Sequence, residues 1–229
     1  MKNKSSKRYK KLLELSKDKK TETLDEAIKK IKNNCTAKFD ESIDVCLNLN
    51  LKQKKTETNV RTTVNLPHGN GKKIKIAVLC EESKIKEAKD AGAELSGSDN
   101  LINDITAGKI NFDKLIATPT MMSKMGKLGK ILGPKGLMPN PKLGTVTADV
   151  KKAVKALKEG QIEIKNDKDG NVSASIGKKS FPDKKIIDNL NAFIQTIKKE
   201  KPNGIKGDFI LSSFLTSTMG ISYKVKLRA

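Results

Sequence analysis

The sequence has no tryptophan, two tyrosines and six phenylalanines, so aromatics make up 3% of its 229 residues. Modules that read single strands by stacking bases need several aromatic side chains on one surface, and this composition disfavours that mode. Histidine occurs once, at His68 in a Pro-Gly connection, where a turn or interdomain contact explains it better than acid–base chemistry. Cys35, Cys46 and Cys80 are isolated, so neither a CxxC pair nor a zinc knuckle can be drawn, and a reducing cytoplasm fits them. No stretch approaches the ~18 consecutive apolar residues that span a bilayer. The opening Met1-Lys2-Asn3-Lys4 runs straight into further charge, so no signal peptide is expected. There is no HExxH and no nucleophile elbow, and the acidic residues are scattered on helical patterns. The expectation is a protein that is not an enzyme, with no cofactor, no metal site and no membrane partner.

What the sequence has in excess is positive charge. Lys and Arg number 47 against 26 Asp and Glu, a net charge of +21. Lysine-rich genomes produce some of this on solvated faces, but so one-sided a balance favours a polyanionic partner through counterion release and steering. With stacking disfavoured, folded RNA held by its shape, 2′-hydroxyls and phosphates is the better expectation. Hydrophobic residues, at 36%, suffice for a sizeable core.

Periodicity divides the chain into two styles. Residues Arg8 to Leu15 suit a short basic helix, and Thr23-Leu24-Asp25-Glu26 reads as a capping box opening a helix with Leu24, Ala27, Ile28 and Ile31 on one side. Alternation then takes over at Ile43, Val45, Leu47, Leu49 and Leu51 and, after a lysine-rich loop, at Val60, Thr62, Val64 and Leu66, predicting an antiparallel pair. A second pair is expected where Gln161 to Lys165 and Asn171 to Ile176 flank Asp167-Lys168-Asp169-Gly170, and a third in Phe209 to Thr216 with Ile221 to Leu227. Pro182 opens a helix bearing Ile186, Ile187, Leu190, Phe193, Ile194 and Ile197, with Ser180 as the expected N-cap.

The middle instead alternates short apolar strands, Ile74 to Leu79 and Leu115-Ile116-Ala117, with helices at Ser83 to Ala91, Leu101 to Ala107 and a last one capped by Thr147 with Val150, Ala153, Val154 and Leu157. The fold class expected is an α+β discontinuous domain, residues 1–66 plus 160–229, interrupted by an inserted three-layer α/β (Rossmann-like) domain, 67–159. Gly at both crossings, Leu66-Pro67-His68-Gly69 and Lys158-Glu159-Gly160, leaves hinge and simple turn both open.

Between Met121 and Gly144 lie five glycines, three prolines and five lysines, read as a loop whose N–H groups and cations can hold phosphates. It lacks the GxxxxGK-Ser/Thr of a nucleotide-binding P-loop. Gly126-Lys127-Leu128-Gly129 and Gly133-Pro134-Lys135-Gly136 each match the GxxG of a KH module, so a KH-like general backbone clamp is the alternative function.

Gly126 to Gly144, above all Gly133-Pro134-Lys135-Gly136-Leu137-Met138-Pro139-Asn140-Pro141-Lys142, resembles the signature of the L-one family of large-subunit ribosomal proteins. Asn59-Val60-Arg61 with Leu66-Pro67-His68-Gly69 resembles the family's entry into its second domain, and Ser217-Thr218-Met219-Gly220 its C-terminal RNA-binding turn. Thr62 stands where the family usually has Gly, and Ile221 where Pro usually follows the turn.

The resemblance implies a ribosome-bound, cytoplasmic protein docked on the large-subunit rRNA of the mobile stalk near the tRNA exit site. It also implies help in releasing deacylated tRNA, and repression of the protein's own mRNA through a leader that mimics the ribosomal site. The free protein is expected to be a monomer. Carried over, the RNA face falls on Lys38-Phe39-Asp40-Glu41-Ser42 and Thr218-Met219-Gly220. Lys38, Phe39, Ser42, Thr218, Met219 and Gly220 are its leading candidates, although Phe39 also reads as a core residue. Lys165 and Lys168, at a neighbouring turn, and Lys7 and Arg8 are candidate phosphate partners. Lys130, Gly133, Lys135 and Gly136 are candidates for a secondary contact.

Overall fold

The computed structural model describes residues 6–15, 21–51, 60–202, 205 and 207–226. In chain order its elements are α1 (Lys7–Leu15), α2 (Leu24–Asn34), β1 (Ser42–Leu49), β2 (Arg61–Asn65), β3 (Ile76–Leu79), α3 (Ile85–Asp90), β4 (Leu95–Gly97), α4 (Asp99–Thr106), β5 (Lys114–Ala117), α5 (Pro119–Met125), α6 (Gly129–Leu132), α7 (Val150–Lys158), β6 (Gln161–Lys165), β7 (Asn171–Lys178), α8 (Asp183–Lys199), β8 (Ile210–Ser217) and β9 (Tyr223–Lys224). The readings made at Met1 to Lys4, at Asn59, at Leu227 and over the lysine-rich segment 52–59 lie outside the described residues. The chain packs as two compact units, one made of Met1–Gly71 with Ile162–Ala229, the other of Lys72–Gln161.

In the first unit, a sheet of order β7-β1-β8-β9 pairs antiparallel throughout. Ile43, Val45, Leu47 and Leu49 of β1 alternate inward, onto Ala27, Ile28 and Ile31 of α2 and Ile186, Leu190, Phe193 and Ile197 of α8. The Thr23 N–H donates to the Glu26 carboxylate at 3.4 Å, so the first turn of α2 is capped as its sequence predicts.

Strand pairing departs from expectation. β1 lies between β7 and β8, and β2 pairs with β6 in a separate two-stranded sheet, so neither the β1–β2 pair nor a β6–β7 hairpin forms. Alternation reports which face of a strand is buried, not which strand lies beside it. The turn between β6 and β7 is nonetheless tight. Asp167 accepts N–H bonds from Asp169 at 3.0 Å and Asn171 at 2.6 Å. Gly170 has φ +79°, and a Cβ there would stand 2.9 Å from the Leu49 carbonyl oxygen.

Two expected caps are also displaced. Pro182, not Ser180, is the N-cap of α8, because the Ser180 hydroxyl and N–H both bond to the Asp40 carboxylate, at 2.7 and 3.1 Å. Asp149 caps α7, and the Thr147 hydroxyl accepts the Asp149 N–H at 3.1 Å. Inside α8 the fully buried Asn189 accepts the His68 N–H at 3.0 Å and donates to the carbonyls of Gly69 and Ile176, both at 2.8 Å.

The second unit holds a three-stranded parallel sheet of order β4-β3-β5. Ile76 and Val78 pack with Ala88 of α3 and Val150, Val154 and Leu157 of α7, whereas Ala77 and Leu79 pack with Leu101 and Ile105 of α4. Both faces of β3 are covered, which is why its sequence is apolar without alternation. The edge strand β4 has no such run and is not predicted.

The Gly- and Lys-rich stretch is a loop only in its second half: residues 133–140 are turn and irregular, but 121–132 are helical. α5, a 3-10 turn at Gly126–Leu128 and α6 follow one another, and Met121, Met125, Leu128 and Leu132 are buried. Their spacing of four, three and four residues is a helical stripe. Burial of those four side chains, about 1.5–3 kcal/mol each, outweighs the roughly 1 kcal/mol that each glycine costs a helix.

Candidate nucleic-acid interface

At one end of the first unit's sheet, β1 begins where β8 ends, with Ile43 opposite Ser217. The Thr218 N–H donates to the Ser42 carbonyl at 3.0 Å, and the Ser42 N–H donates to the Thr218 hydroxyl at 3.0 Å. That hydroxyl also reaches the Ser42 carbonyl at 3.4 Å, so its first task is to close the turn. At Gly220 an added Cβ would stand 2.3 Å from the Ser217 hydroxyl, which would have to shift to admit a side chain.

Beneath the turn lies Glu41, fully buried. One carboxylate oxygen accepts the Ala37 N–H at 3.0 Å and the other accepts the Met219 N–H at 3.2 Å. Burial pushes the Glu41 carboxyl up, but bonds from Ala37, Ser217 and Met219 and the Arg8 charge outweigh it and hold the group below its ordinary range. Arg8 of α1 donates to the Met219 carbonyl at 3.0 Å and to the Thr36 hydroxyl at 2.7 Å, and its guanidinium lies 3.8 Å from Glu41.

These bonds bring Arg8, Ser42, Thr218, Met219 and Gly220 together. Phe39 is 53% exposed and Met219 51% exposed, so Phe39 is a surface residue and not the core residue its type also allowed. Lys38 is exposed in the same segment, and Lys7 is exposed beside Arg8.

Lys165 and Lys168 are not part of this group. The β1–β7 register sets Ser42 against Lys178 and Asn48 against Asn171. The Asp167–Gly170 turn therefore sits at the far end of β1, about 20 Å away at ~3.3 Å per residue. Lys130, Gly133, Lys135 and Gly136 are exposed on the second unit. Of the two GxxG matches, 126–129 lies within helical turns, whereas 133–136 is an exposed turn, so only the second stands open as a KH-like clamp would require.

His68 behaves as a turn residue, its ring nitrogen 3.2 Å from Asp188 of α8. The three cysteines are free. Among the described residues no cluster of three or more His, Cys, Asp or Glu could hold a metal, and no helix is long and apolar enough to cross a membrane.

The residue not singled out from sequence is Glu41 in its buried role. It had a signal: position 41 is in phase with Ile43, Val45 and Leu47, so a carboxylate is aimed at the core side of the strand.

The model of the ribosomal protein L1p/L10e family matches residues 16–221. The chain belongs to this family. It is 58% identical over 223 residues to the large ribosomal subunit protein uL1 of Pelagibacter ubique, covering 97% of each chain. It is 48% identical over 204 residues to the uL1 protein of Rickettsia peacockii, covering 89% of this chain and 85% of that one. To the uL1 protein of Rickettsia bellii it is 49% identical over 201 residues, with 88% and 84% covered. Members of the L1 family are structural ribosomal proteins, and this chain, with its mixed α/β content and parallel sheet, is one of them and not an enzyme.

Proposed function

We propose that the chain is a structural constituent of the large ribosomal subunit that binds the rRNA of the mobile stalk near the tRNA exit site. The observation that carries this is the composite surface at the start of β1 and the end of β8. There two exposed apolar side chains, Phe39 and Met219, are carried on the segments that lead into β1 and out of β8, in a chain of net charge +21. Such a surface suits sugars and base edges of a folded RNA, with Lys38, Lys7 and part of the Arg8 charge for phosphates.

In this reading the α+β domain, 1–66 plus 160–229, makes the main contact. The inserted three-layer, Rossmann-like domain, 67–159, makes a secondary one through Lys130, Gly133, Lys135 and Gly136. Lys165 and Lys168 hold phosphates at a separate point, about 20 Å from the Thr218 turn by the strand rise. The ribosome-bound protein aids release of deacylated tRNA from the exit site. The free protein, a cytoplasmic monomer, uses the same surface to bind its own mRNA leader and repress translation.

The test is binding to the stalk fragment of large-subunit rRNA against an unrelated hairpin of equal length over a salt series. Preference for the stalk fragment persists as salt weakens both, and Thr218→Val with Met219→Ala reduces it more than replacement of Gly133 and Gly136. Equal binding of both RNAs, lost together, would reduce the reading to a generic basic RNA binder. The mRNA leader is expected to compete with the stalk fragment for one site.

A further inference from the structure

A surface that receives a polyanion has little use for a carboxylate, yet the segment from Lys38 to Ser42 contains Glu41. Its burial is complete, so it cannot touch RNA. Its two oxygens accept N–H bonds from two separate stretches of chain, Ala37 before β1 and Met219 after β8, 178 residues from Glu41. Arg8 holds the next backbone carbonyl, that of Met219, and partly neutralises the carboxylate. The Met219 backbone is thus gripped on its N–H side by an anion and on its C=O side by a cation.

We propose that Glu41 is the positioning residue of the RNA interface, fixing the Met219 turn against the loop that carries Phe39 so that the two exposed side chains meet RNA together. This deepens the function proposed above and rests on it. A glutamine has one acceptor oxygen and would turn its NH2 toward one of the two N–H donors, so it cannot satisfy both. An aspartate is one methylene too short to reach both. A carboxylate that only stabilised the fold would affect RNA affinity no further than through the folded fraction.

The test uses the full chain with Glu41→Gln, Met219→Ala and the double variant. Binding to the stalk rRNA fragment is measured where circular dichroism shows each to be folded. Glu41→Gln is expected to weaken binding by about tenfold or more, and Met219→Ala to add little in its presence, because the Met219 side chain is already misplaced. A folded Glu41→Gln protein with unchanged affinity, or losses that multiply in the double variant, would overturn the proposal.

Amide hydrogen exchange on the wild-type protein gives a reading that needs neither a folded variant nor RNA. Ala37 and Met219 N–H are expected to exchange on the order of a hundredfold more slowly than free amides despite lying in surface segments. Exchange at free-amide rates sinks the idea. If the wild type shows no preference for the stalk fragment, the rRNA reading fails by itself, and the exchange rates still report whether Glu41 holds the turn.

Discussion

At the scale of single residues, the interface depends on groups that are small or hidden. Gly220→Ala would drive a methyl into the Ser217 hydroxyl, which is itself buried and bonded to Glu41. The expected cost is about 1–3 kcal/mol in urea unfolding, with loss of stalk-fragment binding at temperatures where the protein is folded. Asn189→Ala leaves the His68 N–H and two carbonyls without partners and is expected to cost about 1–3 kcal/mol, read in the same experiment. Glu41 supplies a pH test. Its carboxyl is held below the ordinary range, so its contribution is present above that range and is lost as pH falls through the lowered folded value. The stability gap between wild type and Glu41→Gln should therefore narrow on acidification, and a gap that widens would contradict the bonding described. Residues whose role follows from type and position, such as Met219 and Gly220, could be named from sequence. The bonding roles of Glu41 and Asn189 could not, because each joins a near neighbour to a partner about 120 to 180 residues away along the chain.

At the scale of elements, faces were legible, but of the three expected strand pairs only β8 with β9 forms. The inward side of β1, the capping box of α2 and the stripe of α8 follow from period and cap residues. The β1–β7 and β2–β6 pairings depend on long-range packing that no local pattern encodes. The stretch from Met121 to Leu132 shows a conflict between two local signals, since its glycines argue for a loop and its Met and Leu spacing for a helix. Leu132, fully buried, decides between them. Leu132→Ala is expected to cost about 2–5 kcal/mol by denaturant unfolding, whereas the same change in an open loop would stay within about 0.5 kcal/mol.

At the scale of the whole molecule, a net charge of +21 makes affinity for RNA a function of salt. If about six phosphates are neutralised, binding should fall on the order of a thousandfold between roughly 50 and 200 mM salt, with the logarithm linear in log salt. A flat response would mean that the charge faces solvent and not the ligand. Charge and class of partner were legible in composition, but which ends of which strands present the lysines was not. Lys165 and Lys168 show this, being carried to the opposite end of β1 by its register with β7. The same register bears on how the protein is made. The middle strand β1 is synthesised early, but its two neighbours, β7 and β8, come after the whole of Lys72–Gln161. During translation the parallel-sheet unit can complete itself while β1 waits with both hydrogen-bonding edges open and Ile43, Val45, Leu47 and Leu49 lacking the cover that α8 later gives. The nascent chain is then most exposed to aggregation in its first third, and the last stretch to leave the ribosome closes the fold.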